Sequence, residues 1–417
     1  VEARNHPLPE VIVLNDFGTA NGGSSVVALA SVRGLAQRGC RTTLFTAVGT
    51  RATSSSNGER WVCLGQEEIV KDRNRPRAIA NGLHNRPAAR AFARELEGRD
   101  PMRTIVHMHT FTKALSASVL AVALDRGFPV VLSLHDFFIV CPTGGFFLHG
   151  DSSLCTKRPL SLACVSCNCD RRNYGHKVWR VARTFLQNRV LHLDRRISHF
   201  VGISDFSVRV MQPYLPPAAP ITVLRNPIDC TDLGPATPGA DAPFVFIGRF
   251  ALEKGVLLFA EAVRAAGVPA VFVGDGELRA EAERICPDAL FTGWLPAEEV
   301  RAWMRRARAL VFPPHWYETL GLVVVEAAAN GVPAIVASRC AATDFIRDGE
   351  NGLLFEHGSV SALCAQMQRL QEPGAAAALG RRAYDWYWSD PWTLDRHVDG
   401  LLALYARILQ EKNGVAA

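Results

Sequence analysis

Apolar and polar positions along this chain fall into one repeating rhythm. Short apolar runs at Val11–Leu14, Thr43–Thr46, Thr104–Val106, Val130–Leu134 and Phe200–Ile203 each end in small or polar residues and pass into a helix-compatible stretch. Runs of that length without strict alternation read as strands buried on both faces. The first leads through Gly22 and Gly23 into a helix reaching Leu35. Strand and helix in alternation predict a parallel sheet covered on both sides. The rhythm breaks at Asn226–Pro243, where Pro, Gly and Asp crowd together and predict a linker. It restarts at Phe244–Ile247 and continues through Ala270–Val273, Ala309–Phe312 and Ala334–Ala337. The expectation is an α/β chain of two doubly wound units, 1–228 and 229–390, facing a cleft at the carboxyl ends of their strands. A last segment, 391–417, carries Trp392, Leu394, Leu401, Leu402, Leu404 and Ile408 and predicts a helix that packs back on the first unit.

Composition changes this picture little. A chain of 417 residues, 48% hydrophobic and 21% charged, has enough apolar material for two cores. No apolar run approaches the ~20 residues a spanning helix needs, and VEARNHPLPE has no signal-peptide pattern, so a cytoplasmic chain is expected. The net charge of +6 is modest, but it is unevenly placed. Arg171–Arg196 holds eight Lys or Arg and one acid, Asp194, with Val178, Trp179, Val181, Ala182, Phe185 and Leu186 at helical spacing. Such a basic amphipathic helix either lies on an anionic membrane surface or packs on the core with a solvated charged face. No recognition motif accompanies the charge, so no nucleic-acid partner is expected.

Candidate chemistry concentrates in HWYETLGLVVVEAAANGVPAIV, where Glu318 and Glu326 bracket the start of an apolar helix. An ionised Glu326 among Val325, Ala327 and Ala328 asks for hydrogen-bonding partners, which ligand hydroxyls would supply. Backbone N–H groups of Thr319, Leu320 and Gly321 at the helix start suit an anion. GRFALEKG after Phe244–Ile247 puts Arg249 and Lys254 at a strand's carboxyl end, a pair suited to a diphosphate. Together these describe a nucleotide-sugar site. Five cysteines, Cys141, Cys155, Cys164, Cys167 and Cys169, fall in one loop-like segment. In a chain without a secretory signal they suggest zinc, with a reduced, metal-free cluster as the alternative.

GRFALEKG followed by YETLGLVVVEAAANGVPAIV resembles the retaining glycosyltransferases of family 4, which have the GT-B fold. The likeness extends to Gly22–Gly23, the His-x-His ending at His109, LHD at Leu134–Asp136, GISDFS at Gly202–Ser207 and GDGEL at Gly274–Leu278. It implies that Gly22 and Gly23 let backbone approach the donor diphosphate, and that Arg249, Lys254 and Thr319–Gly321 balance the leaving charge. It assigns Glu318 to the donor sugar, Glu326 to the ribose, His135 to the reacting sugar and His109 to the acceptor side. The cysteine-rich insertion, about 141–170, resembles that of bacterial surface-polysaccharide glycosyltransferases, which favours Cys141, Cys155, Cys164 and Cys169 as ligands of a structural zinc, with Cys167 as a substitute. No two Asp residues lie two apart, so metal-independent transfer with no catalytic cofactor is expected. The implied partners are a nucleotide-sugar donor and a lipid-linked or saccharide acceptor at the inner membrane face. Transfer to a small soluble acceptor, a non-catalytic nucleotide-sugar binder and a nucleotide-sugar epimerase are the competing readings.

Overall fold

The computed structural model describes residues 8–56 and 58–414. The first unit contains β1 (Glu10–Phe17), β2 (Thr42–Val48), β3 (Ala52–Ser56), β4 (Glu59–Gln66), β5 (Thr104–Met108) and β6 (Val130–Leu134). A small hairpin, β7 (Phe147–Leu148) and β8 (Ser153–Leu154), precedes β9 (His199–Gly202) and β10 (Ile221–Val223). Apart from that hairpin these strands form one sheet in the order β10-β9-β6-β5-β1-β2-β4-β3. Its pairings are parallel except for β3 on β4. Val11, Ile12, Val13 and Leu14 are all 0% exposed, which is why β1 reads as a continuous apolar run.

The second unit follows the same logic with β11 (Phe244–Ile247), β12 (Ala270–Val273), β13 (Leu290–Gly293), β14 (Ala309–Phe312), β15 (Ala334–Ala337) and β16 (Leu353–Phe355). All are parallel, in the order β13-β12-β11-β14-β15-β16. Each sheet therefore reverses its strand order once, between β1 and β5 and between β11 and β14. Loops leaving those strands turn to opposite faces and open a crevice at the carboxyl edge. At Gly255 the crevice walls come very close: a Cβ there would lie 1.8 Å from the Pro313 carbonyl oxygen. Only glycine admits that approach, and its φ of +72° is also glycine's.

The helix Leu394–Lys412 follows the second unit but belongs to the first unit's core. Val398, Leu401, Leu404, Tyr405 and Ile408 are buried with Val11, Val13, Ala28 and Val32. Contacts across the cleft are polar and aromatic: Ser204 Oγ donates to the Thr319 carbonyl at 2.7 Å, Arg209 pairs with Asp344 at 2.6 Å, and the Tyr317 ring packs against Phe137, Phe146 and Phe206.

The basic segment forms the helix Tyr174–Phe185, capped by the Asn173 side chain, and ends in a π-turn at Leu186–Val190. Its polarity is inverted from the expectation. Lys177 and Arg183 are buried, whereas Val178 is 46% and Phe185 54% exposed. No described helix is long and apolar enough to cross a membrane.

Candidate active site

The loop after β11 carries Lys254 at the end of a single 3-10 turn, Leu252–Lys254, and the loop after β14 carries Trp316, Tyr317 and Glu318. Lys254 Nζ meets Glu318 Oε2 at 2.5 Å, and Trp316 Nε1 donates to the same oxygen at 3.0 Å. The ammonium also lies 5.0 Å from the centre of the Trp316 ring, so the indole holds both partners of the pair. Arg249 pairs instead with Glu253, whose side chain is almost wholly buried.

Gly321, at φ +79°, turns the chain into the helix Leu322–Ala329. Among the described residues the N–H groups of Thr319, Leu320 and Gly321 make no backbone hydrogen bond, so they remain available to an anion. Across the cleft, Gly22 (φ +92°) and Gly23 open the helix Gly23–Gln37. A Cβ on Gly23 would touch Leu322 at 3.7 Å, whereas one on Gly22 would meet no protein atom. Two helix N-termini therefore look into one cavity of about 470 Å³, lined also by His135, Arg249, Lys254 and Glu318. A cavity of that size, with converging dipoles and cations, is ready for a phosphorylated ligand.

His135 follows β6 and lines this cavity. Its carbonyl accepts from Thr319 Oγ1 at 3.0 Å, tying the first unit to the donor-side loop. Burial lowers its pKa to about 3, so the ring is neutral near pH 7. His109, expected on the acceptor side, is 3% exposed and sits behind His135, with Nδ1 at 2.9 Å from His135 Nε2. His107, one step deeper, is held between Tyr405 Oη at 2.6 Å and Ser133 Oγ at 2.8 Å.

Glu326 lies further along the helix and does not line the same cavity. Burial raises its pKa, offset by Arg301, and its carboxylate makes no ion pair among the described residues. Lys113 and Asp136 also reach the cleft, where the sequence had given them no role. Lys113 is the first cation after β5, a position that could have flagged it. Beneath it Asp16 accepts from the backbone N–H groups of Lys113, Ala114 and Leu115 and fixes the loop.

A larger groove of about 950 Å³ adjoins the cleft and shares Lys113 and Arg249 with it. Lys71, Arg75, Arg172 and Arg180 line it together with Trp179 and Phe138. It is basic and aromatic at once.

The cysteines do gather, but not as a metal site. Cys141, Cys164 and Cys169 are buried, and Cys155 and Cys167 are half-buried. The ammonium of Lys177, 1% exposed, lies 3.2 Å from Cys169 Sγ and 3.5 Å from Cys164 Sγ. A cation thus stands between the sulfurs where the zinc reading needs an ion, and no set of His, Cys, Asp or Glu among the described residues is arranged to hold a metal. As arranged, Cys141, Cys155, Cys164 and Cys169 do not fit zinc, nor does Cys167 complete a set.

Residues 21–232 match the model of Glycosyltransferase Family 4, and residues 242–372 match that of Glycosyl transferases group 1. The D-inositol 3-phosphate glycosyltransferase of Rhodococcus opacus is 28% identical over 92% of this chain and 85% of its own length. A GDP-mannose-dependent alpha-mannosyltransferase of Corynebacterium glutamicum is 36% identical over 28% of each chain. Against several of its strongest curated matches the chain spans about half of their length or less. The solved sucrose-phosphate synthase of Thermosynechococcus elongatus superposes with a TM-score of 0.68 over 97% of this chain and all of that one, at 16% identity. The chain belongs to Glycosyltransferase Family 4, and its two facing Rossmann-like units are the GT-B fold.

Proposed function

We propose that this protein transfers a glycosyl group, with retention of configuration, from a nucleoside-diphosphate sugar to a lipid-linked saccharide or polysaccharide intermediate. The observation that carries the donor half is the Lys254–Glu318 pair beside the free N–H groups of Thr319–Gly321, facing Gly22 and Gly23 across one cavity. Lys254, Arg249 and the two helix ends would take up the charge of the departing diphosphate without a metal ion. Glu318 would hold sugar hydroxyls, and Glu326, half-buried and unpaired, would take the ribose diol. His135, neutral and rigidly held, would face the reacting sugar. An oxygen of the departing phosphate would accept the acceptor's proton.

Support for the acceptor half comes from the adjoining groove and the helix beside it. A lipid-linked saccharide carries an anionic phosphate on an apolar chain, and the groove offers both kinds of surface. The exposed Val178 and Phe185, with Val190 at 55%, form an apolar face that a bilayer would cover, which supports a peripheral position at the inner membrane surface. A small phosphorylated acceptor is the second reading, favoured by the near full-length likeness to an inositol-phosphate enzyme.

A thermal-shift panel of UDP-, GDP-, ADP-, CMP- and dTDP-sugars, on the wild type and on Lys254→Ala, tests the donor half. One nucleotide should raise the midpoint, and the variant should lose that rise. An equal rise in both proteins, or none with any donor, would sink this assignment. Transfer that stops on adding a chelator would overturn metal independence.

A further inference from the structure

His109 and His135 share one hydrogen bond, yet one ring nitrogen of the pair is unaccounted for. His109 Nδ1 faces His135 Nε2 at 2.9 Å, while His109 Nε2 is buried and has no protein partner. A neutral ring buried to 3% exposure does not leave a nitrogen unsatisfied without cost. Beside it lies a small separate cavity of about 10 Å³, lined by His109, Ser133 and Asp136 among others. That is room for one water molecule, which needs two or more polar neighbours. Asp136 lines this cavity on one side and the main cleft on the other.

We propose that a single buried water joins the Asp136 carboxylate to His109 Nε2, and that this link makes Asp136 and His109 positioning residues that set the tautomer of His135. An ionised carboxylate only accepts, so the water donates one hydrogen to Asp136, and in the proposed link it donates its other hydrogen to His109 Nε2. His109 then carries its proton on Nδ1 and donates to His135 Nε2. His135, being neutral, keeps its one proton on Nδ1, the nitrogen not engaged by His109. The ring therefore enters the cleft region as a fixed hydrogen-bond donor, at no cost in reorganisation when charge develops on a nearby oxygen. No bond is made or broken in this arrangement; one proton position is selected on each ring.

Asp136 also answers to its surroundings. Burial raises its pKa to about 6, against the Phe138 N–H at 3.0 Å, the Arg183 and Lys113 charges and, acting the other way, Asp16. The His135 ring faces His109, with His397 as the remaining cation-forming neighbour. Protonation of Asp136 turns it into a donor toward the water, and the tautomer preference of both rings relaxes.

This inference rests on the reading of His135 as the ring facing the reacting sugar, but its first test needs no donor. Long-range 15N–1H correlation spectra of the full chain, with His109 and His135 assigned by substitution, report which nitrogen of each ring is protonated. At pH 7.5 we expect Nδ1–H on both rings, relaxing toward mixtures as pH falls through about 6, and in Asp136→Asn a preference that no longer changes over that range. Nε2–H on His135 in the wild type, or an identical pH course in Asp136→Asn, would overturn the proposal. Kinetics then separate it from the donor assignment. Asp136→Asn should lower kcat about 10-fold or more while donor KM stays put, and remove an acid limb from the pH profile. A raised KM with unchanged kcat would instead place Asp136 in binding and sink the positioning role.

Discussion

Glu318 is the residue on which most of the donor side turns. One of its oxygens serves both Lys254 and Trp316, so before any ligand arrives its negative charge already neutralises the cation intended for a diphosphate. Donor binding must then redistribute that charge, with Lys254 turning to phosphate and Glu318 freed toward sugar hydroxyls. Replacing the carboxylate by its amide preserves size and still accepts from Trp316. It removes the charge that positions Lys254. We expect Glu318→Gln to lose about 10²- to 10³-fold in kcat, the scale of one electrostatic contact to a transition state. Intact mass spectrometry during turnover should show no glycosyl-enzyme, because the residue positions rather than attacks; a trapped adduct on the wild type would refute that role. Glu318 and Lys254 were legible in the chain because each lies in the loop that follows a buried strand and shortly before a glycine, features that fix where a side chain goes. Lys177 was not. A lysine within a run of basic residues reads as solvated, and nothing local shows that it will be drawn in among sulfurs.

At the scale of elements the same contrast recurs. Strands buried on both faces announced themselves, whereas β3 and β4 were missed because one is ATSSS at a sheet edge and the other has no fully buried residue. A parallel-sheet rhythm carries no signal for an antiparallel edge strand whose polar side chains face water. β10, β13 and β16 escaped because each is a short strand at a sheet edge, and the first two contain no fully buried residue. The helix Tyr174–Phe185 shows how periodicity can be right and its orientation wrong. Its cations turn inward because the groove and the sulfurs give them partners, which pushes Val178 and Phe185 outward. That exposed face makes a prediction independent of catalysis. Phe185→Asp should abolish sedimentation with vesicles containing anionic lipid, while the thermal midpoint stays within about 2 °C, since an exposed site contributes little to folding. Unchanged sedimentation would leave this face to water and favour a soluble acceptor.

The whole molecule is held together by an element that crosses between units, and this junction is built from histidines. His107 is wedged between Tyr405 of the C-terminal helix and Ser133, and His397 of that helix lies 3.1 Å from Ser31 Oγ and 3.0 Å from the Arg225 carbonyl. Burial lowers the pKa of His107 to about 3 from an ordinary value of 6.5, and it lowers that of His397 as well. Below pH 6.5 the unfolded chain therefore binds protons that the folded chain refuses, so stability falls as pH falls. For His107 the loss is about 1.4 kcal/mol per pH unit until the folded-state value is reached. Asp136, with its pKa raised to about 6, titrates in the opposite sense below that pH, so a bare acid profile would understate the histidines. Comparison with His107→Gln removes that ambiguity, because the variant keeps every other titrating group. Urea unfolding of both proteins between pH 7 and pH 5.5 should show the wild type losing about 1 kcal/mol more than the variant over the last unit. Although His107→Gln lowers stability at pH 7 by breaking two hydrogen bonds, the difference in slope isolates the proton. Parallel pH courses would mean that His107 accepts a proton in place, and that the C-terminal helix is not fastened by a neutral ring. Divergent courses would mean that acid loosens the helix joining the two units, and with it the alignment of His135 against the donor-side loop at Thr319.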